Sequence, residues 1–118
     1  MQRIATLVIV LLLSLTLGVH AESQYQLTRN AATEYEKADK ELTALYKQLL
    51  DSLDKNGKAA LITSQQAWVK YRDANSMFLC HQHKGGSIYA MAYTDAMRRH
   101  TRERIDELKA FMQERAGQ

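Results

Sequence analysis

Apolar side chains recur at steps of three and four along most of the chain. The clearest run covers residues 35–53, whose apolar positions are Tyr35, Ala38, Leu42, Leu45, Tyr46, Leu49, Leu50 and Leu53. Charged residues fill the positions between them, so this stretch predicts an amphipathic helix. We expect the helix to begin near Leu27, with Thr28 or Asn30 as its cap. Residues 55–57 should end it, because Asn and Gly accept the left-handed conformation.

Two further helices follow from the same periodicity. The second is expected from Lys58 to Leu79, with helical spacing at Leu61, Trp68, Tyr71, Asn75 and Phe78. We expect its aromatic side chains to lie in the core rather than to form a sugar-binding platform. The period is then lost over residues 81–87, where two adjacent glycines predict a loop and Ser87 is placed to cap the next helix. The third helix is expected from Ile88 to Arg115. The chain is therefore predicted to be all-α: an antiparallel hairpin of the first two helices, with a third long helix packed across it.

The apolar stripe of the third helix is interrupted by polar residues. Thr101 and Arg104 occupy positions where the spacing predicts core side chains. A buried guanidinium needs a partner, and Asp73 is the nearest candidate in sequence terms. Alternatively, the helix is rotated and Arg104 extends to water. On the second helix, Trp68 and Arg72 are four residues apart and are expected to stack as a cation–π pair.

The first 21 residues have the organisation of a signal peptide. A short positive start is followed by an apolar stretch over residues 4–19 and by the small-x-small sequence Val19-His20-Ala21. The stretch is shorter than the roughly 20 apolar residues that a membrane anchor needs. We therefore predict a signal peptide over residues 1–21, a mature domain over residues 22–118, no transmembrane anchor after cleavage, and a periplasmic or secreted location in the cell envelope.

Composition narrows the class of protein further. The 118 residues are 46% apolar and 25% charged, with five glycines and no proline. This is enough for one packed domain, while an all-β fold would need more turn residues. The net charge of +3 does not call for nucleic acid as a partner, and no nucleotide-binding glycine motif is present. No arrangement of nucleophile and base has a recognisable setting, so we predict neither an enzyme nor a cofactor.

The single cysteine, Cys80, allows two special roles. With His81 and His83 nearby, and His100 as a possible fourth ligand, it offers thiolate and imidazole groups that suit zinc or copper. The ligand set is thin, so a polar loop without metal is the preferred interpretation. Because an unpaired cysteine is unusual in an exported domain, Cys80 is also a candidate for a disulfide-linked dimer.

Three motifs taken together resemble the lysozyme inhibitor LprI-like family of small exported helical domains. They are the blocks AWVKYRDA at residues 67–74, GGSI at residues 85–88, and TRER at residues 101–104. The positions that carry the resemblance are Trp68, Tyr71, Arg72, Asp73, Thr101 and Arg104. The resemblance implies an all-α domain that binds another protein.

The chain departs from the family at its cysteines. Members usually carry a bridge where this chain has Ser76 and Ala96, and a further cysteine near Asn30. The loss of both cysteines of the bridge is self-consistent, since either cysteine alone would be an unpaired thiol. The helices must then be held by packing, without a crosslink worth about 2–4 kcal/mol.

The function implied by the resemblance is inhibition of a lysozyme by protein–protein contact. Lysozymes cleave peptidoglycan with two carboxylates, so a loop carrying a cation would suit their cleft. The candidate loop comprises His81, His83, Lys84, Gly85, Gly86 and Ser87. Electrostatics favour another face: C-type lysozymes are basic, and residues 22–54 carry net charge −3 whereas residues 55–118 carry +5.

An envelope interaction or scaffold module without inhibitory activity is the alternative. Its candidate surface is the basic cluster of Arg98, Arg99, His100, Arg102 and Arg104, which would suit anionic lipid or acidic glycan. The same residues are also compatible with an ordinary solvated helix face, neutralised by Glu103, Asp106 and Glu107.

Overall fold

The computed structural model describes the backbone of residues 2–118 and the side chains from residue 22 onward, together with Gly18. Three α-helices account for most of it: α1 (Gln2–Ser52), α2 (Lys55–Leu79) and α3 (Tyr89–Ala116). A short 3-10 turn, His81–His83, follows α2. The described residues contain no strand, and the predicted all-α fold of three main helices is confirmed.

The signal-peptide prediction falls mainly on residues whose side chains lie outside the described part, so it stays a prediction. Among the helices whose side chains are described, none is both long and apolar enough to cross a membrane.

The direction of each helix follows from the side chains that meet. Along α1 and α3, contacts join Gln24 to Ser87, Glu41 to Arg102 and Ser52 to Arg115. The numbers rise together, so α1 and α3 run parallel. Between α2 and α3, contacts join Asn75 to His100 and Gln65 to Arg104, and the numbers run in opposite directions. Hence α2 is antiparallel to both of the other helices.

Helix α3 packs most heavily along α1, less on α2, while α1 and α2 touch each other only slightly. The third helix therefore lies lengthwise against the first rather than merely crossing a tight hairpin of the first two. The buried core lies at the junction of all three and consists of Leu42, Leu49, Leu61, Ile105 and Leu108. Burial of each such side chain contributes about 1.5–3 kcal/mol to folding.

The boundary between α1 and α2 differs from the sequence prediction. Residues 55–57 do not end α1; they form the first turn of α2. The reason is Asp54, whose carboxylate accepts a 2.7 Å hydrogen bond from the backbone N–H of Gly57 and so caps α2. The proposed caps Thr28 and Asn30 were also wrong, because both lie inside α1.

The start of α3 was likewise misplaced. Ile88 rather than Ser87 is the residue that precedes the helix, and no side chain caps it. The turn before it is made by Gly85, the one described residue with positive φ, at +83°. A side chain at the neighbouring Gly86 would lie 3.2 Å from the carbonyl oxygen of His83. The tight reversal between α2 and α3 therefore requires glycine at residue 85, and Gly86 avoids a crowded contact with the backbone.

Candidate binding surface

The connection between α2 and α3, residues 77–89, forms the end of a helical hairpin, and we call it the hairpin tip. Its backbone is tied by a succession of short-range hydrogen bonds: His83 N–H to Cys80 O at 2.9 Å, Lys84 N–H to His81 O at 3.0 Å, and Gly86 N–H to His83 O at 2.9 Å. The tip is therefore a series of closed turns.

Cys80 anchors the base of the tip. Its side chain is only 1% exposed, and its thiol donates a 3.0 Å hydrogen bond to the carbonyl oxygen of Ser76 one turn earlier. A side-chain hydrogen bond with the Cys80 thiol is the main cause that raises the pKa of the Tyr89 hydroxyl, and burial is the second cause. Because the sulfur is enclosed within its own chain, the predicted disulfide-linked dimer through Cys80 is not supported.

An open groove of about 500 Å³ lies on the surface of the tip. Its lining residues are Met77, Phe78, His81, Lys84 and Tyr89. Phe78 is 74% exposed and Met77 is 57% exposed, so the groove has a large apolar wall open to solvent. Of the six predicted loop residues, His81 and Lys84 line this groove, whereas His83, Gly85, Gly86 and Ser87 do not.

The apolar part of this surface was not anticipated from the sequence, where Tyr71 and Phe78 were assigned to the core. Both are exposed. The inward line of α2 near its end is instead Arg72, Ser76 and Cys80, spaced by four residues. Phe78 lies half a turn from Ser76 and so points away from α3. The sequence signal that was missed is the small side chains of Ser76 and Cys80 at these inward positions.

The charges near the tip have one sign. No acidic residue occurs in the chain between Asp73 and Asp95, while the cation Lys84 falls within that interval. Among the described side chains, no carboxylate forms an ion pair with Lys84. The tip therefore combines exposed apolar groups with unneutralised cationic character.

The family-motif residues lie elsewhere, at the interface of α2 and α3. The Trp68 ring has the guanidinium of Arg72 at 5.0 Å and that of Arg104 at 6.0 Å from its centroid. The predicted cation–π pair of Trp68 and Arg72 is confirmed. Each of the two arginine side chains is only 11% exposed.

Arg104 points inward, but its predicted partner was wrong. Asp73 pairs with its own neighbour Arg72 at 2.9 Å. The Arg104 guanidinium instead donates hydrogen bonds to three other side chains: Gln65 at 3.1 Å, Ser64 at 2.8 Å and Glu107 at 2.8 Å. Two of these partners belong to α2, so Arg104 links α3 to α2. These hydrogen bonds supply the partners that a buried guanidinium needs.

The remaining motif residues also serve packing. Thr101 is fully buried, and its hydroxyl donates to the carbonyl oxygen of Met97 at 2.8 Å. The Tyr71 ring meets the His100 ring edge-on at 5.5 Å, and His100 contacts the Asn75 amide at 2.9 Å. The motif thus describes how α2 and α3 fit together.

The positions of the missing family bridge fit the same interface. Ser76 and Ala96 are both fully buried; Ser76 follows Asn75 directly, and Ala96 lies one turn before His100, the residue that Asn75 contacts. The Ser76 hydroxyl has no hydrogen-bond partner there. A buried hydroxyl without a partner is unfavourable, which is consistent with the cysteine that the family resemblance leads us to expect at this position.

The basic cluster of α3 is largely neutralised. Arg98 and Arg99 both reach Asp95, at 2.8 Å and 3.4 Å, and Arg102 pairs with Glu41 of α1. These contacts favour the interpretation of the cluster as an ordinary solvated helix face. The acids involved, Asp95 and Glu41, are not among those expected from the sequence.

The metal hypothesis finds no support in the described residues, where no three potential ligands gather at one point. His100 is engaged with Asn75 between the helices, and the Cys80 thiol is bonded to Ser76.

Comparison with known proteins gives the family. No solved structure matches the chain. A similar protein is the uncharacterized protein R02472 of Rhizobium meliloti (strain 1021), which is 29% identical over 106 residues, covering 79% of this chain and 76% of that protein. The family model of lysozyme inhibitor LprI matches residues 19–108, which include most of the three-helix core. Because that match spans well over half of the chain, the protein belongs to the lysozyme inhibitor LprI family.

Proposed function

We propose that this protein is an exported binding protein that inhibits a peptidoglycan-cleaving lysozyme by protein–protein contact. The observation that carries the proposal is the family match over residues 19–108. Membership of an inhibitor family supports a lysozyme-inhibitor-like role and argues for binding rather than catalysis. The identity of the lysozyme and the form of the contact belong to the proposal.

Export is the second part of the proposal. The leader over residues 1–21 would deliver the domain to the compartment where lysozymes meet peptidoglycan. The mature chain is expected to begin at Glu22. Amino-terminal sequencing of the protein recovered from the periplasm or the medium checks this; recovery of uncleaved chain from the cytoplasm alone would contradict it.

The charge argument for α1 as the lysozyme-facing surface weakens in the folded chain. Of the seven acids in residues 22–54, three are engaged: Glu34 with Lys37, Glu41 with Lys109 and Arg102, and Asp54 as the cap of α2. The pairing of Glu41 with two cations of α3 therefore reduces the acidic surplus of this segment. Short-range chemistry at another surface supports binding better than long-range attraction to α1.

Lysis of cell walls by a C-type lysozyme tests the proposal directly. Purified residues 22–118 are added at stoichiometric excess, and the loss of turbidity is followed over time. We expect the rate to fall, and calorimetry to show a saturable complex. A chitinase acting on chitin serves as the control, because inhibition limited to lysozyme excludes general effects on glycan hydrolysis. Unchanged lysis with no complex would refute the proposal; binding without slowing would favour a non-inhibitory envelope module.

A further inference from the structure

The features of the hairpin tip indicate a specific role within the proposed function. This inference rests on that proposed function. We infer that residues 77–89 enter the substrate cleft of the lysozyme, with Phe78 as the apolar anchor and Lys84 as the cation that pairs with the catalytic carboxylates. The assignment extends the loop identified from the sequence to two residues of α2 that precede it, Met77 and Phe78.

The apolar anchor is argued from exposure. Phe78 and Met77 adjoin one groove and are both more than half exposed, with the partly buried Tyr89 forming its other side. An aromatic side chain held in water at a helix end contributes little to folding, since it gives up little apolar surface on folding. Large aromatic residues next to a pocket are instead typical of the few positions that dominate binding energy.

The choice of partner surface is argued from charge. A lysozyme cleft carries two carboxylates with the glycan chain bound between them. Lys84 lies in an acid-free stretch of 21 residues, whereas the arginines at 72, 98, 99, 102 and 104 each pair with an acid. Lys84 therefore offers a cation to an external carboxylate without breaking an internal pair.

The shape of the tip supports insertion. Two antiparallel helices end at a short connection, whose turns are closed by backbone hydrogen bonds and by the positive φ of Gly85. The buried Cys80 holds its base against α2. A connection that is already ordered loses less conformational entropy on binding than a flexible loop would.

A matched pair of double variants tests the assignment. Phe78→Ser with Lys84→Glu changes the tip; Ile62→Ser with Lys58→Glu makes the same kinds of change at exposed positions near the start of α2. Both lower the net charge by the same amount. We expect the tip variant to bind lysozyme at least about tenfold more weakly and to lose inhibition in proportion. The control variant should stay within about twofold.

Occupation of the cleft is tested by competition. A chito-oligosaccharide that fills the cleft should displace the domain from lysozyme. Equal binding to saccharide-filled lysozyme would overturn entry into the cleft. Circular dichroism and thermal melting establish whether the variants are folded. If the double tip variant is not folded, Phe78→Ala and Lys84→Gln are measured separately, and each is expected to weaken binding to lysozyme.

The outcomes separate this inference from the proposed function. If the unaltered domain neither binds nor inhibits lysozyme, both are overturned. If it inhibits and the tip variant inhibits equally well, the function stands and the tip assignment is wrong. Binding to vesicles of anionic phospholipid that the tip variant loses, with inhibition retained, would assign the tip to a membrane surface and also overturn the inference.

Discussion

The α2–α3 interface and the hairpin tip differ in how their polar and aromatic groups are used. At the interface, Trp68 lies between Arg72 and Arg104, and each guanidinium has an acid within 2.9 Å. At the tip, Phe78 is largely exposed and Lys84 stands in an acid-free stretch of chain. The motif arginines of the interface are paired within the chain, whereas the tip leaves Phe78 and Lys84 available to a partner.

The comparison teaches that a recognisable motif need not mark a binding site. The residues that carry the family resemblance, apart from the glycines, are engaged in fitting α2 to α3. The tip is identified mostly by what the sequence pattern missed: an exposed aromatic and an absence of acids. Function in this chain is therefore best sought where side chains lack internal partners.

The largest expected difference between the two regions is in stability. Ile105, next to Arg104, is 1% exposed, so Ile105→Ala should lower the free energy of unfolding by about 2–5 kcal/mol. Phe78→Ala at the tip should lower it by less than about 0.5 kcal/mol. Urea unfolding of both variants measures the contrast. A similar loss for the two would show that Phe78 is part of the packed structure and would remove the distinction.

A crosslink across the interface is the next largest effect. Ser76→Cys with Ala96→Cys, made in a Cys80→Ser background, should restore the bridge expected from the family and raise stability by about 2–4 kcal/mol under oxidising conditions. Both sites are buried on facing helices. Thermal melting with and without reductant measures the gain, and the single Ser76→Cys variant is the control. Failure of the bridge to form would mean that the family alignment is out of register.

The fold was predictable because helical periodicity reports the core directly. The three helices and the buried Leu42 and Leu49 follow from apolar spacing. The ends of helices were less predictable: Asp54 and Gly57 together signal a helix start, but Asn56–Gly57 alone resembles a helix end. A cap depends on one hydrogen bond, which composition does not reveal.

The site was harder to predict than the fold. Phe78 was misassigned because an aromatic at helical spacing is more often buried, and here the inward positions near the end of α2 are occupied by Ser76 and Cys80. The partners of Arg104 were missed because they depend on how α2 and α3 are rotated about their axes. That rotation is a property of the assembled core and is not contained in either helix alone.

Arg104 provides a smaller test of the interface. Arg104→Ala removes the hydrogen bonds to Gln65 and Ser64 and the contact with Trp68, and should cost about 1–2 kcal/mol. Arg99→Ala is the control, since Arg99 is more than half exposed and only 3.4 Å from Asp95; its loss should cost less than about 0.5 kcal/mol. Chemical denaturation compares them. Equal costs would mean that the motif arginine is no more structural than a surface arginine.

The smallest effect concerns the ionic contact between α1 and α3. Hydrogen bonds from Lys109 and then Arg102 hold the pKa of Glu41 below its usual value of 4.5. A carboxyl whose pKa is lowered by folding stabilises the fold above its unfolded pKa, and that contribution is lost as the pH falls through the folded pKa. The half-exposed geometry keeps it small.

Glu41→Gln should therefore be less stable than the unaltered domain at pH 7, and the difference should shrink steadily below about pH 4.5, where the unaltered domain also acquires a neutral side chain. Urea unfolding at pH 7, 4 and 3 measures this, with Glu36→Gln on the same helix as the control, because Glu36 has no ion pair among the described side chains. A difference between Glu41→Gln and the unaltered domain that persists at pH 3 would mean that the side chain contributes through packing rather than through its charge.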